Sequence, residues 1–390
     1  MDLFYVPDAV PYRKLIELAR DKKPAVLATV VETDGSTPQV AGASALFSED
    51  GLVCGTVGGG IGEARVEALA CRGLRTGVSL LRTFDFGKTP AEAGEAICGG
   101  RLRVLIDASP SLHLAVFIQM NKSVRRRRAG LLAVRIGRTG DPSRVTIRRF
   151  WIPSGVSGSA LAGAPLRPFA EDLEAVARSG APGLFSRKAG RLYLEPHFPP
   201  ARLIIAGAGH VGRAVAHLGR FLNFEVIVTD DRPEFANADR FPGAERIIVA
   251  DVSRTLGEFP LGPGTYVVIV TRGHRHDEDA LRACIRRKAS YIGMIGSARK
   301  VGLLGERFIK KGWCSAAEWE RVRTPIGLPI GSKTVEEIAV SIAAELVAVR
   351  SCNSRAYGTG SSALRSSNGR AYGTGGSALR SGKLNTGSGA

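Results

Sequence analysis

The chain has 390 residues, 44% of them hydrophobic and 23% charged, which is room for two or three domains of roughly 100–200 residues each. No apolar run approaches the roughly 20 residues that span a bilayer, and residues 1–20 lack a charged stretch leading into an apolar core, so a soluble, cytoplasmic protein is expected. The net charge of +18 invites a nucleic-acid reading, but it divides as −2 over 1–120, +10 over 121–200, +5 over 201–350 and +5 over 351–390, with no aromatic reader string or helix-turn-helix beside it.

The first segment, 1–120, reads as α+β. A short helix is predicted over 12–21. A strand is predicted over 24–32, where Val26, Val30 and Val31 fall in an apolar run. Two more strands, 43–47 and 51–55, flank a Ser-Glu-Asp-Gly turn. A helix follows over 61–73, and a strand over 102–107. The second segment, 121–198, is basic, turn-rich and hard to assign; a few strands completing the first domain and a proline-bearing linker at 196–200 are expected. Arg125 to Arg128 form a run of four arginines, which reads as a solvated face or an interaction tail.

The third segment, 199–350, alternates strand and helix. Strands are predicted at 202–206, 225–229, 246–249, 265–271 and 289–294. Helices are predicted from about His210, from about Asp277, and over 334–350. That alternation predicts an α/β domain with a parallel sheet. The last segment, 351–390, holds the near-repeat RAYGTGSSALRS and RAYGTGGSALRS, offset by fifteen residues; so rich in Gly and Ser, it cannot build a core and is expected to be disordered.

Gly207-Ala208-Gly209-His210-Val211-Gly212 follows the apolar strand at 202–206 and opens a helix, which is the context a G-x-G-x-x-G loop requires. Gly207 would permit the tight turn, Gly209 the approach of a pyrophosphate and Gly212 close packing of helix on sheet, with the phosphate at the helix N-terminus. Asp230, eighteen residues on, is placed to hold a ribose 2′-hydroxyl and favours NAD over NADP.

Gly58, Gly59 and Gly60 form a second candidate anion cradle, unless Glu63 caps those amides instead. Cys98, beside Gly99 and Gly100 in a loop, reads either as a buried structural cysteine or as an approachable thiol, a soft ligand for molybdenum or a sulfur carrier. The six cysteines form no C-x-x-C pair, which removes zinc and redox-pair readings. His274 and Asp277 follow a strand end where ligands bind in open α/β sheets, Asp277 also being a candidate N-cap. Arg299 and Lys300 are placed to hold a phosphate or carboxylate, or else form a solvated basic turn.

Together these residues resemble the XdhC/CoxI family of xanthine dehydrogenase accessory factors. The resemblance is carried by Gly35-Ser36-Thr37-Pro38 with Gly42-Ala43, by 55–63 and by Cys98-Gly99-Gly100. In the C-terminal half it is carried by 207–212, Thr271-Arg272-Gly273-His274, 291–300, Pro325-Ile326-Gly327-Leu328 and 331–345. Gln39 stands where the family usually has Arg. The resemblance implies an XdhC/CoxI-like N-terminal domain and an XdhC-type Rossmann domain. It also implies a chaperone that binds the molybdenum cofactor, supports its sulfuration and inserts it into a xanthine dehydrogenase-type hydroxylase, with a cysteine desulfurase as sulfur donor. The residues it points to are Gly58, Gly59, Gly60, Cys98, Gly207, Gly209, Gly212, His274 and Arg299. The competing expectation is an NAD-dependent oxidoreductase built on the same Rossmann domain. Self-association is compatible with either.

Overall fold

A computed structural model describes residues 10–86, 99–141, 143–155 and 165–357. The chain is mixed α/β, and the described residues build three sheets. In the first, strands β1 (Val26–Asp34), β2 (Ser44–Ser48), β3 (Gly51–Gly55), β4 (Leu80–Asp85) and β5 (Arg101–Asp107) run in the order β3-β2-β1-β5-β4. All of its pairings are antiparallel. β1 is central because its Val- and Ala-rich start is buried on both faces. Val26, Ala28 and Val30 enter one core with the helix Ile61–Thr76, while Leu27 and Val31 enter another, which is the two-residue alternation of a strand.

The second sheet has β6 (Gly130–Arg138), β7 (Val145–Pro153), β8 (Gly183–Arg187) and β9 (Gly190–His197) in the order β7-β6-β9-β8. Its Leu132, Val134, Trp151 and Tyr193 share a core with Leu27 and Leu105 of the first sheet and with helices Val10–Arg20 and Leu114–Arg125. A buried Arg149–Asp107 ion pair ties the two sheets. The Tyr12 hydroxyl donates to the buried Glu195 carboxylate at 2.8 Å. The four-arginine run ends a helix: Arg125 closes its last turn, where a cation suits the helix dipole, and Arg127 takes a left-handed φ of 58°. Arg127 then donates to the Pro200 carbonyl and pairs with Glu225 at 2.7 Å, so part of the run fastens the second sheet to the C-terminal domain.

The third sheet is parallel throughout. It contains β10 (Arg202–Ala206), β11 (Glu225–Asp230), β12 (Arg246–Val249), β13 (Thr265–Ile269), β14 (Tyr291–Met294) and β15 (Val322–Arg323). The order β12-β11-β10-β13-β14-β15 is the doubly wound Rossmann arrangement, reversing at β10 and β13. Leu203 and Ile205 pack under helices His210–Phe221 and Val335–Tyr357. Ile204 and Ala206 pack under Val252–Glu258, His274–Cys284 and Ala298–Lys310. The strand β4 and the helices at 252–258 and 298–310 escape sequence reading because their apolar periodicity is brief or half-exposed, whereas the few strands expected within 121–198 are β6 to β9. The last helix continues past Arg350 to Tyr357; no Gly or Pro interrupts the chain before Gly358, so nothing stops it at the expected boundary.

Candidate functional site

The glycine loop lies at the C-terminal edge of the parallel sheet, where β10 runs into the helix His210–Phe221. Gly207 has φ 120°, and a Cβ there would collide with the Val270 carbonyl. A Cβ on Gly212 would collide with the Gly207 carbonyl oxygen. Both positions are closed to any side chain by backbone atoms. Gly209 differs: it is the helix N-cap, lies in an extended conformation, and a Cβ there meets nothing within 4 Å. Its open face and the free N–H groups of the first turn make it the point where an anion can approach.

Asp230 sits at the end of β11 with 3% of its surface exposed. One oxygen accepts the Ala208 N–H at 2.7 Å, and Arg232 donates to the other from its backbone N at 3.1 Å and from Nε at 2.8 Å, with Nη2 returning to the first at 3.0 Å. Burial opposes its charge, but these donors outweigh it and hold the carboxyl at about 2. Asp230 is thus a brace between the glycine loop and the segment after β11. Its neighbour Asp231 is half-exposed and pairs with Arg272 at 2.9 Å. Sequence reading missed this pair; the only local signal was a second carboxylate at the strand end.

His274 opens the helix His274–Cys284, with Gly273 at the N-cap. Its Nε2 lies 2.7 Å from Lys300 Nζ; an ammonium only donates, so the imidazole accepts. Arg299 is exposed in the first turn of Ala298–Lys310. Asp277 is not the cap. It is buried, and its Oδ1 accepts from the Thr271 N–H at 3.0 Å and the Thr271 hydroxyl at 2.6 Å, fastening the turn after β13. Burial pushes its carboxyl upward. A pocket at the ends of β11, β12 and β13 is lined by Asp231, Asp251, Ser253, Thr271, Arg272 and His276, among others.

The N-terminal candidates converge at one end of the first sheet. A Cβ on Gly58 would lie 3.5 Å from the Pro38 ring, and one on Gly35 would lie 3.2 Å from Gly100 Cα. Gly59, Gly60 and Gly99 each face open space. Glu63 leaves the helix N-cap uncapped and instead accepts from the Thr56 hydroxyl at 2.9 Å. Cys98 lies outside the described residues. Among the described cysteines, Cys284 and Cys314 are buried, and burial pushes the Cys284 thiol up to about 12. No group of three or more His, Cys, Asp or Glu among the described residues could hold a metal ion. No helix among them is long and apolar enough to cross a membrane.

Family models match both halves of the chain: the XdhC and CoxI family over residues 18–85, and the XdhC Rossmann domain over residues 203–346. The chain belongs to the XdhC and CoxI family. It is 28% identical over 338 residues to a relative from Bacillus subtilis (strain 168) whose name is that of a probable xanthine dehydrogenase subunit, covering 85% of this chain and 95% of the relative. It is 23% identical over 340 residues to the "Molybdenum cofactor insertion chaperone PaoD" of Escherichia coli (strain K12), covering 87% of each. A crystal structure from Bacillus halodurans, described as a xanthine dehydrogenase, shares the fold with a TM-score of 0.68 at 23% identity, over 87% of this chain and 96% of that one. The XdhC Rossmann match contains Gly207, Gly209, Gly212, Asp230, His274 and Arg299, whereas Cys98 falls between the two matched regions.

Proposed function

We propose that this chain is a maturation factor that binds the molybdenum cofactor, supports its sulfuration and inserts it into a xanthine dehydrogenase-type molybdenum hydroxylase. The observation that carries the reading is similarity over nearly the whole chain to relatives named for xanthine dehydrogenase and for cofactor insertion. The glycine geometry supports it. Gly209 in the Rossmann domain, and Gly59, Gly60 and Gly99 in the N-terminal domain, leave room against the backbone for an anion. A phosphate-bearing cofactor fits both places. When bound, the cofactor supplies the molybdenum centre that the client enzyme uses.

In this reading Gly209, His274, Lys300 and Arg299 hold the phosphate end, the cations serving the charge and the glycine the close approach. Gly58, Gly59 and Gly60 line the second cradle. Cys98 is the soft ligand to the metal or the carrier of sulfur. A cysteine desulfurase is the sulfur donor, and the cytoplasm, where thiols stay reduced, is the setting. NAD is the competing ligand for the Rossmann loop.

The test is molybdenum content by mass spectrometry, on protein purified anaerobically from a cofactor-producing host, wild type beside Cys98→Ser. Near-stoichiometric molybdenum in the wild type, lost in the variant, is the expected result. Absence of molybdenum from both samples, with NAD bound in its place, would transfer the assignment to a dehydrogenase.

A further inference from the structure

In the parallel sheet β10 lies between β11 and β13. Asp231 is the first residue past β11, and Arg272 lies just past β13. Their ion pair, Arg272 Nη2 to Asp231 Oδ2 at 2.9 Å, therefore passes across the C-terminal end of β10, where the chain enters the glycine loop. The strand order reverses there, and open α/β sheets bind their ligands at such a point. Both residues line the pocket at the strand ends. Their side chains are 42% and 43% exposed, so solvent reaches the pair. Asp230 beside it has both oxygens engaged by its own chain. The carboxylate with accepting capacity at the ribose position is Asp231.

We infer that Asp231 and Arg272 are the ligand-reading pair of the Rossmann domain, exchanging their mutual ion pair for a ribonucleoside diphosphate group. The two ribose hydroxyls donate to Asp231, Arg272 donates to one phosphate, and the other phosphate sits on the open face of Gly209. The inference rests on the proposed function, with the molybdenum cofactor, molybdopterin or its nucleotide form, taken in its nucleotide form. Its chemistry is complementary group by group: a carboxylate only accepts and a vicinal diol donates, a guanidinium only donates and a phosphate accepts. A half-exposed ion pair contributes little to stability, so its exchange for these contacts is favourable. A ribose 2′-phosphate would place its charge against Asp231, so the site selects the unphosphorylated ribose.

The experiment is titration calorimetry on the full-length protein with ADP, 2′,3′-dideoxy-ADP and inorganic pyrophosphate. The wild type is expected to bind ADP about tenfold more tightly than the dideoxy analogue, the size of one charge-assisted hydrogen bond. Asp231→Ala removes that preference while pyrophosphate binds as well or better, because Arg272 is released. Arg272→Gln weakens ADP and pyrophosphate alike, by about tenfold or more. Wild-type protein that ignores ADP, or a ribose preference that survives Asp231→Ala, overturns the inference; so does a preference lost only in Asp230→Asn. The two proposals fail separately. Molybdenum retained without ADP binding removes the reading pair alone, and ribose-selective ADP binding without molybdenum removes the maturation reading alone.

Discussion

Gly212→Ala is expected to unfold the Rossmann domain under conditions in which Gly209→Ala leaves it folded. The two glycines belong to one motif, yet their surroundings are opposite. A methyl group on Gly212 meets the carbonyl oxygen of Gly207, which is itself held at φ 120° against the Val270 carbonyl. Backbone on both sides cannot give way without lifting the helix His210–Phe221 off β10. Overpacking of this kind costs about 3 kcal/mol or more. A methyl group on Gly209 points into open space, and exchanging Gly for Ala at an N-cap costs under about 1 kcal/mol. It does, however, fill the face where an anion approaches. Urea denaturation followed by circular dichroism separates the two variants by midpoint, and pyrophosphate titration of the folded Gly209→Ala protein should show binding lost. Equal midpoints for the two variants would refute the packing argument.

Asp230→Ala is expected to destabilise the same domain by about 3 kcal/mol, because it strips a partner from the buried Ala208 N–H and from the Arg232 guanidinium. The Arg232 side chain is 22% exposed and stacks on Phe235 at 3.9 Å, so water relieves part of its loss. The pH dependence has a definite sign. The folded-state carboxyl is held at about 2, against 3.8 for the free group. A depressed folded value means that Asp230 stabilises the fold above the unfolded value and loses that contribution as pH falls through the folded one. The wild type should therefore lose about 2 kcal/mol between pH 5 and pH 2 that Asp230→Ala lacks from the outset. Denaturation midpoints measured across that interval check it; parallel curves for the two proteins would show that Asp230 carries no such charge.

How much of this was legible in the sequence varies with the range of the interaction. The loop 207–212 was readable because strand, glycine spacing and helix are consecutive, and the steric reasons for each glycine lie within a few residues. The strands β10, β11, β13 and β14 were readable because a buried parallel strand is an unbroken apolar run. The alternation of strand and helix implied the Rossmann fold before any contact was known.

Other features needed the tertiary structure. Asp230 has the sequence position of a ribose-binding acid, but Ala208, 22 residues away, and Arg232 occupy it first. Asp277 looks like a helix cap, yet Thr271, six residues back, claims its carboxylate. The pair of Asp231 and Arg272 joins residues 41 apart in the chain and exists only because β10 brings its two neighbours within a side chain's reach. In the N-terminal half the sequence supplies Gly35, Gly58 and Gly100 as three unrelated turns, and antiparallel pairing of β1 with β5 brings the first and last into contact. The sequence alone determined where the backbone can turn and where apolar strands run, because those depend on local sterics and periodicity. Which polar groups remain free to meet a ligand was decided by the fold, because a hydrogen-bonding group is spent on whichever partner the packed chain places beside it.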